Sequence, residues 1–226
     1  MINNWKLGIK ILRYAHGIKM NIIVGIVMLL LNIPVVIAGV MSDNQLLGGY
    51  MLMCVGMLPT QMIYSLSASN MVLTTTYRKK IQTSVPASLT CGNMMLLYLM
   101  NVLIYGIVAL IQGTVRDSAG TELLILAILM ILIMAYLGSA YKYFAASSLF
   151  LCLVLPVFMN MGLSGMSRIN RIGNPFGPGG PALALAAVSG FVMLAAGGLL
   201  QYLLSLLFYR APLSKMAQAA PLRKEL

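Results

Sequence analysis

The chain has 226 residues, of which 60% are hydrophobic and only 8% charged. A soluble domain carries about 25% charged residues, so a water-soluble enzyme or binding module is excluded and an all-α integral membrane protein is indicated. The net charge of +11, from 15 Lys and Arg against 4 Asp and Glu, would suggest nucleic acid as a partner in a soluble protein; in lipid it reports topology first, and no nucleic-acid partner is expected.

The chain opens with "NNWKLGIKILRYAHGIK". Trp5, Ile9 and Leu12 recur at helical spacing on one face, Lys6, Lys10 and Arg13 line another, and Asn3 or Asn4 suits the start of a helix. Residues 1–19 are therefore expected to form an amphipathic helix on the inner membrane surface, cations toward lipid phosphates; the plainer alternative is a basic flank. The apolar run that follows is about 20 residues, too long for the core of a cleavable signal.

Crossing the hydrocarbon core takes about 20 apolar residues. Six segments meet that length, near 20–40, 47–66, 94–113, 122–141, 144–163 and 182–209, giving a six-span domain over 20–209. Read as one helix, 122–163 would run about 60 Å, twice the membrane. Tyr141-Lys142-Tyr143 breaks it with residues that favour an interface, which predicts a tight hairpin. With the N-terminus inside, the cytoplasmic segments hold Lys6, Lys10, Arg13, Lys19, Arg78, Lys79, Lys80, Lys142, Arg210, Lys215, Arg223 and Lys224. The outer loops hold only Arg116, Arg168 and Arg171, with Asp43, Asp117 and Glu122. That asymmetry predicts both termini cytoplasmic, a cytoplasmic loop at 67–93 and a cytoplasmic tail at 210–226.

Between the last two spans, "SGMSRINRIGNPFGPGGP" is too rich in glycine and proline for a regular helix in its latter half. The last span opens with Ala182, Ala186 and Gly190 at four-residue intervals, a ridge that lets helix backbones approach in lipid.

The chemistry missing from the spans narrows the function. Away from their ends they contain no Asp, Glu, Lys, Arg or His. Ion-coupled carriers and proton relays need such groups inside the membrane. Gly162-Leu163-Ser164-Gly165 matches the GxSG of rhomboid-type intramembrane proteases, but no histidine follows it to act as base. Asn174-Pro175-Phe176 resembles half of a water-channel signature, and its surroundings read as a turn. Cys54, Cys91 and Cys152 have no metal-ligand spacing, His16 lies in the surface segment, and no GxxxxGK[ST] cradles a nucleotide. No catalytic or metal site is expected, and no cofactor in this chain. The uncharged polar residues Asn32, Thr60, Gln61, Asn101, Ser147, Ser148, Asn160 and Gln201, with Pro34, Pro59 and Pro156, suit interhelical hydrogen bonds and kinks. A subset, Asn32, Met57, Gln61, Asn101 and Asn160, is the candidate substrate path, where Met51, Met53, Met57 and Met62 would give an adaptable wall.

Six spans, an amphipathic leader, a basic loop between spans two and three and no nucleotide site resemble the small permease subunits of bacterial type 2 ATP-binding-cassette exporters. The closest local match is Val85-Pro86-Ala87-Ser88-Leu89 ahead of "TCGNMMLLYLM", similar to a Leu-Pro-Val-Ser-Arg-like run before the third span in one branch of that family. The chain departs from the branch at Arg78-Lys79-Lys80, where acidic residues are usual, and at Leu89-Thr90, where basic ones are. The resemblance implies a transport subunit that is not an enzyme, working as a pair of permeases, here identical chains, in the bacterial plasma membrane. A separate ATPase subunit would bind ATP and Mg, and the cargo would be a hydrophobic or amphipathic peptide, drug or lipid. It also implies that the leader is a connecting helix and that the segment before Pro86 is a coupling helix seated in the ATPase. Asn70 would cap that helix, Tyr77 and Ile81 would share its anchoring face, Arg78, Lys79 and Lys80 would reach acidic surface or lipid phosphate, and Val85-Pro86 would close it, with Ser88 or Thr90 capping span three. A solvated positive-inside loop is the alternative for this stretch. For the whole chain the alternatives are a substrate-capture subunit of a vitamin importer, whose small-xxx-small first span is absent from Asn21–Val40, and an intramembrane enzyme.

Overall fold

Within lipid no water is at hand for exposed backbone N–H and C=O groups, so a chain this apolar must satisfy them internally. The computed structural model describes residues 2–14, 18–41, 46–67, 72, 75–113, 119–140, 142–143, 145–154 and 180–211, and among these the regular structure is all helical. The helices are α1 (Ile2–Leu12), α2 (Ile18–Met41), α3 (Leu46–Ser67), α4 (Arg78–Gln82), α5 (Ser84–Gln112), α6 (Ala119–Ala140), α7 (Ala145–Val154) and α8 (Gly180–Leu207), the last closing in a short turn at Phe208–Arg210. Among the described residues four helices are long and apolar enough to cross a membrane: α2, the joined α4–α5, α6 and α8. α3 covers the second expected segment with 22 residues, whereas only the first half of the fifth, as α7, falls among the described residues.

Side-chain contacts fix the helix directions. Thr60 of α3 meets Thr90 of α5, and further back Gly56 meets Met94 and Leu97, so α3 and α5 are antiparallel. Gly25 of α2 lies against Leu58, while Ile37 lines a small cavity with Ile104, Ile107 and Val108, so α2 runs with α5. α6 and α8 run against α5: Tyr105 pairs with Glu122 and Tyr98 with Ala186, whereas Gln201, near the other end of α8, reaches Thr90.

The most extensive contact is between α6 and α8, and small residues make it. Gly120 faces Ala182 and Ala186, Gly138 faces the Gln201 backbone with room for no more than a hydrogen, and Gly197 seats Ile131 and Met134. The ridge expected at Ala182, Ala186 and Gly190 is buried and continues through Leu194, Gly197, Gln201 and Ser205. Gly190 receives the phenol of Tyr98 rather than α6. Around this seam lies the main core, with Met94, Tyr98, Leu123, Met130, Met134 and Leu194 fully enclosed.

A second cluster, Ile63, Val72, Ile81, Val85 and Leu89, holds the other end of the bundle, and α1 closes over it with Trp5, Leu7, Ile11 and Leu12. Gly8 makes this possible, since its bare backbone lies against Val85 and Leu89, and Gly92 accepts the Trp5 indole. The inward face of α1 is therefore Trp5, Gly8 and Leu12, not Trp5, Ile9 and Leu12. Ile9 is exposed because the adjoining Gly8, which scores as no hydrophobe in a sequence pattern, is what fits closest to α5.

Candidate functional site

All nine described cations, Lys6, Lys10, Arg13, Lys19, Arg78, Lys79, Lys80, Lys142 and Arg210, gather at the end of the bundle where α5 begins and α8 finishes. Glu122, the only described acid, lies at the opposite end. This segregation places the basic loop, the amphipathic helix and the end of α8 together.

The basic loop is built differently from the expected capped helix closed by a proline. Only five residues, Arg78–Gln82, form α4, and α5 follows after the single residue Thr83, whose backbone (φ −121°, ψ −75°) departs from helical values. Pro86 accounts for the break. It has no N–H for the Gln82 carbonyl, and its ring crowds that carbonyl, which kinks a helix four residues upstream. The Thr83 hydroxyl donates to the Lys79 carbonyl at 2.7 Å and carries the chain across the gap. Pro86 therefore bends a nearly continuous helix and does not end it. Ser88 and Thr90, expected as caps, lie within the first turns of α5. Asn70 lies outside the described residues.

The expected anchoring pair divides. Tyr77 is 64% exposed, whereas Ile81 is 9% exposed and packs with Ile63 and Val85. Val85 and Pro86 are buried as well. Because α4 lies against α5 and α3, the positions four apart with Tyr77 do not share a free face. Lys79 and Lys80 are exposed, while Arg78 is half-buried, and its Nε has no hydrogen-bond partner. On α1, Trp5 is half-buried and Lys6, Lys10 and Arg13 are exposed.

Just inside this end a polar node joins three long helices. The Thr90 hydroxyl donates to the Pro86 carbonyl at 2.8 Å. It then accepts from Thr60, at 2.6 Å, and from the Gln201 amide, at 3.0 Å. All three side chains are fully buried. α3, α5 and α8 are thus tied at one oxygen, four residues beyond Pro86.

Beside it, Lys142 is 6% exposed, although the sequence reads it as a hairpin cation at an interface. Its Nζ donates to the Ala211 carbonyl at 2.8 Å. Burial, reinforced by repulsion from the nearby Arg78 guanidinium, pushes the amine down to about 8. At the end of α6 the backbone N–H groups of Lys142 and Tyr143 both donate to the Ser139 carbonyl, and the Ser147 hydroxyl reaches the Ser139 hydroxyl.

Among the described candidate path residues, Met57 and Gln61 lie on α3 and Asn101 on α5. Asn101 is buried and its amide donates to Leu97 on its own helix at 2.9 Å. Gln61 is exposed, Met57 half-buried, Asn32 sits on α2, and Asn160 lies outside the described residues, as do the GxSG and Asn-Pro-Phe stretches. Sequence reading missed Glu122, which it placed in an outer loop. It is 2% exposed in the first turn of α6 and accepts the Tyr105 hydroxyl at 2.8 Å. The positive end of the helix dipole favours a carboxylate there, and the signal available was its position at the very start of an apolar run.

Comparison with protein-family models, curated proteins and solved structures finds no match. Four long apolar helices, two of them packed along a small-residue seam, are compatible with a multi-pass membrane protein.

Proposed function

We propose that the chain is the permease subunit of an ATP-binding-cassette exporter in a bacterial plasma membrane, crossing it six times with both termini cytoplasmic. It moves a hydrophobic or amphipathic peptide, drug or lipid outward, paired with a second copy. A partner ATPase binds ATP and Mg and supplies the energy. The observation that carries this reading is the elbow at Thr83. An exposed basic helix, α4, is joined through one bent residue to a long apolar helix, and the Thr90 hydrogen bonds link that helix to α3 and α8. A push on α4 from a docked partner therefore reaches three long helices without crossing a loose loop. Tyr77, Lys79 and Lys80 present the docking surface. Ile81, Val85 and Pro86 stiffen it from beneath, and Arg78 bridges the two.

Inverted membrane vesicles containing the complex test this. Uptake of a fluorescent amphipathic peptide should require ATP. It should fall strongly in the triple variant Tyr77→Ser, Lys79→Gln, Lys80→Gln while the chain remains inserted. An exposed aromatic anchor at an interface contributes about 2 kcal/mol or more, so ATPase retention on an affinity-tagged chain should fall in parallel. Uptake driven by a proton gradient without ATP would overturn the exporter reading.

A further inference from the structure

α1 has one apolar face, and two surfaces compete for it. In the structure Trp5, Leu7, Ile11 and Leu12 lie on the cluster of Ile63, Ile81, Val85 and Leu89, so the helix spans α3, α4 and α5 and splints the elbow at Thr83. The seat is shallow. All four side chains are only half-buried, and among the described residues of α1 Gly8 alone is buried. It is also incomplete. The Trp5 indole N–H, held against Gly92, is shielded from water and has no acceptor, and a buried donor without a partner calls for an explanation. At a bilayer interface the same ring stays in apolar surroundings while its N–H meets water or headgroup oxygens. The outer face of α1 carries Lys6 and Lys10, Arg13 follows at its end, all three are exposed, and the helix contains no acid. The second surface is within reach. Residues 13–17 join α1 to α2, and five residues extend to roughly 17 Å, more than a helix diameter of about 10–12 Å. The first part of α2, Ile18–Val35, has no buried residue among those described, which leaves that flank to the bilayer.

We infer that α1 is a strap that exchanges between two seats under the control of anionic lipid. In one it is docked over the elbow. In the other it lies on the bilayer surface beside α2, the same apolar face in lipid and Lys6, Lys10 and Arg13 among headgroup phosphates. The seats exclude each other because they use the same side chains. Docked, the strap holds α4 against α5; released, it uncovers Ile81, Val85 and Leu89 and frees the elbow to bend. Apolar burial is similar in both seats and largely cancels, so charge decides. Each cation near an anionic surface favours release roughly fivefold, and three together on the order of a hundredfold. The strap needs a bilayer but no partner ATPase, so it stands apart from the exporter reading.

Hydrogen–deuterium exchange of the full chain in nanodiscs tests it, read on peptides covering residues 78–92. The discs contain phosphatidylcholine alone or an equal mixture with phosphatidylglycerol. Exchange should be slow in phosphatidylcholine and about tenfold faster or more in the mixture, and high salt should shrink the difference by screening the surface. The triple variant Lys6→Gln, Lys10→Gln, Arg13→Gln changes only exposed side chains, and it should exchange slowly in both lipids. Gly92→Ala sets a Cβ 2.6 Å from the Trp5 Nε1, so it should unseat the strap and exchange fast in both, on a helix that alanine favours. Lys79→Gln/Lys80→Gln removes cations that lie off the strap and should keep the lipid difference. Equal exchange of the wild type in the two lipids would overturn the strap, as would a lipid difference that survives the triple variant. So would its loss in Lys79→Gln/Lys80→Gln, which would assign the lipid response to α4, or slow exchange of Gly92→Ala in phosphatidylcholine.

Discussion

Gly190 offers the sharpest test of the packing. A Cβ built there runs into the hydroxyl and ring of Tyr98, whose Cε1 would lie 2.9 Å away. Tyr98 has nowhere to retreat. It is fully buried, donates to the Ala186 carbonyl at 3.1 Å and meets Phe191 edge-on at 5.1 Å. Gly190→Ala must therefore push α8 away or turn the phenol off its acceptor. Overpacking of this kind costs about 1–3 kcal/mol, and stranding the phenol adds about 1–3 kcal/mol. Alanine returns roughly 1 kcal/mol through helix propensity, so the expected net loss is about 1–5 kcal/mol. Thermal melting of the solubilised chain should show it as a clear drop. Gly106→Ala is the matched control, because nothing lies within 4 Å of its Cβ position, and it should melt at or above wild type. In a Tyr98→Ala background the Gly190→Ala penalty should vanish, since its cause is gone. Gly190→Ala melting as high as wild type, or the penalty persisting without Tyr98, would refute the claim that the phenol sets the distance between α5 and α8.

Two further outcomes follow from the basic end. Thr90→Val keeps the shape but removes the oxygen that accepts from Thr60 and Gln201, so it should cost about 2–6 kcal/mol in a melt, through two stranded buried groups. Adding Thr60→Val and Gln201→Leu should recover most of that loss, and no recovery would mean that packing, not hydrogen bonding, holds the node. Lys142 gives a pH dependence whose sign is set by its depressed amine. The unfolded amine titrates near 10.5 and the folded one near 8, so between those values the unfolded chain binds more protons and stability rises with pH. Melting temperature in zwitterionic detergent should therefore climb from pH 8 toward pH 10, and the slope over that window should shrink in Lys142→Met.

The apolar runs were legible because lipid enforces them. A helix that must bury its backbone polarity in hydrocarbon announces itself in composition, and α2, α3, α6 and α8 begin and end within a few residues of the expected limits. The α5 boundary was not legible. Its first turns contain Pro86, Ser88 and Thr90, which read as a loop and a cap, yet they are buried by α1, α3 and α8. Tertiary contacts outweigh local preference there. The small-residue ridge on α8 was visible as a four-residue period, but its partners, Gly120, Gly138 and Tyr98, were not, since no pattern within one helix names the neighbour it meets. Lys142 and Glu122 were misjudged for a related reason. A charge at the end of a span reads as solvated, and only the fold reveals which ends are capped by other helices.

Trp5 has a consequence for observation rather than for stability. It is the only tryptophan in the chain, and its ring lies over Gly92, where the absence of a side chain lets it touch the backbone of α5. Red-edge excitation selects it from the eleven tyrosines. The unmodified protein therefore carries an optical gauge at the joint between its surface helix and its longest membrane helix. A change in the wavelength or anisotropy of that one fluorophore reads whether the joint is open or shut, in real time and without a label.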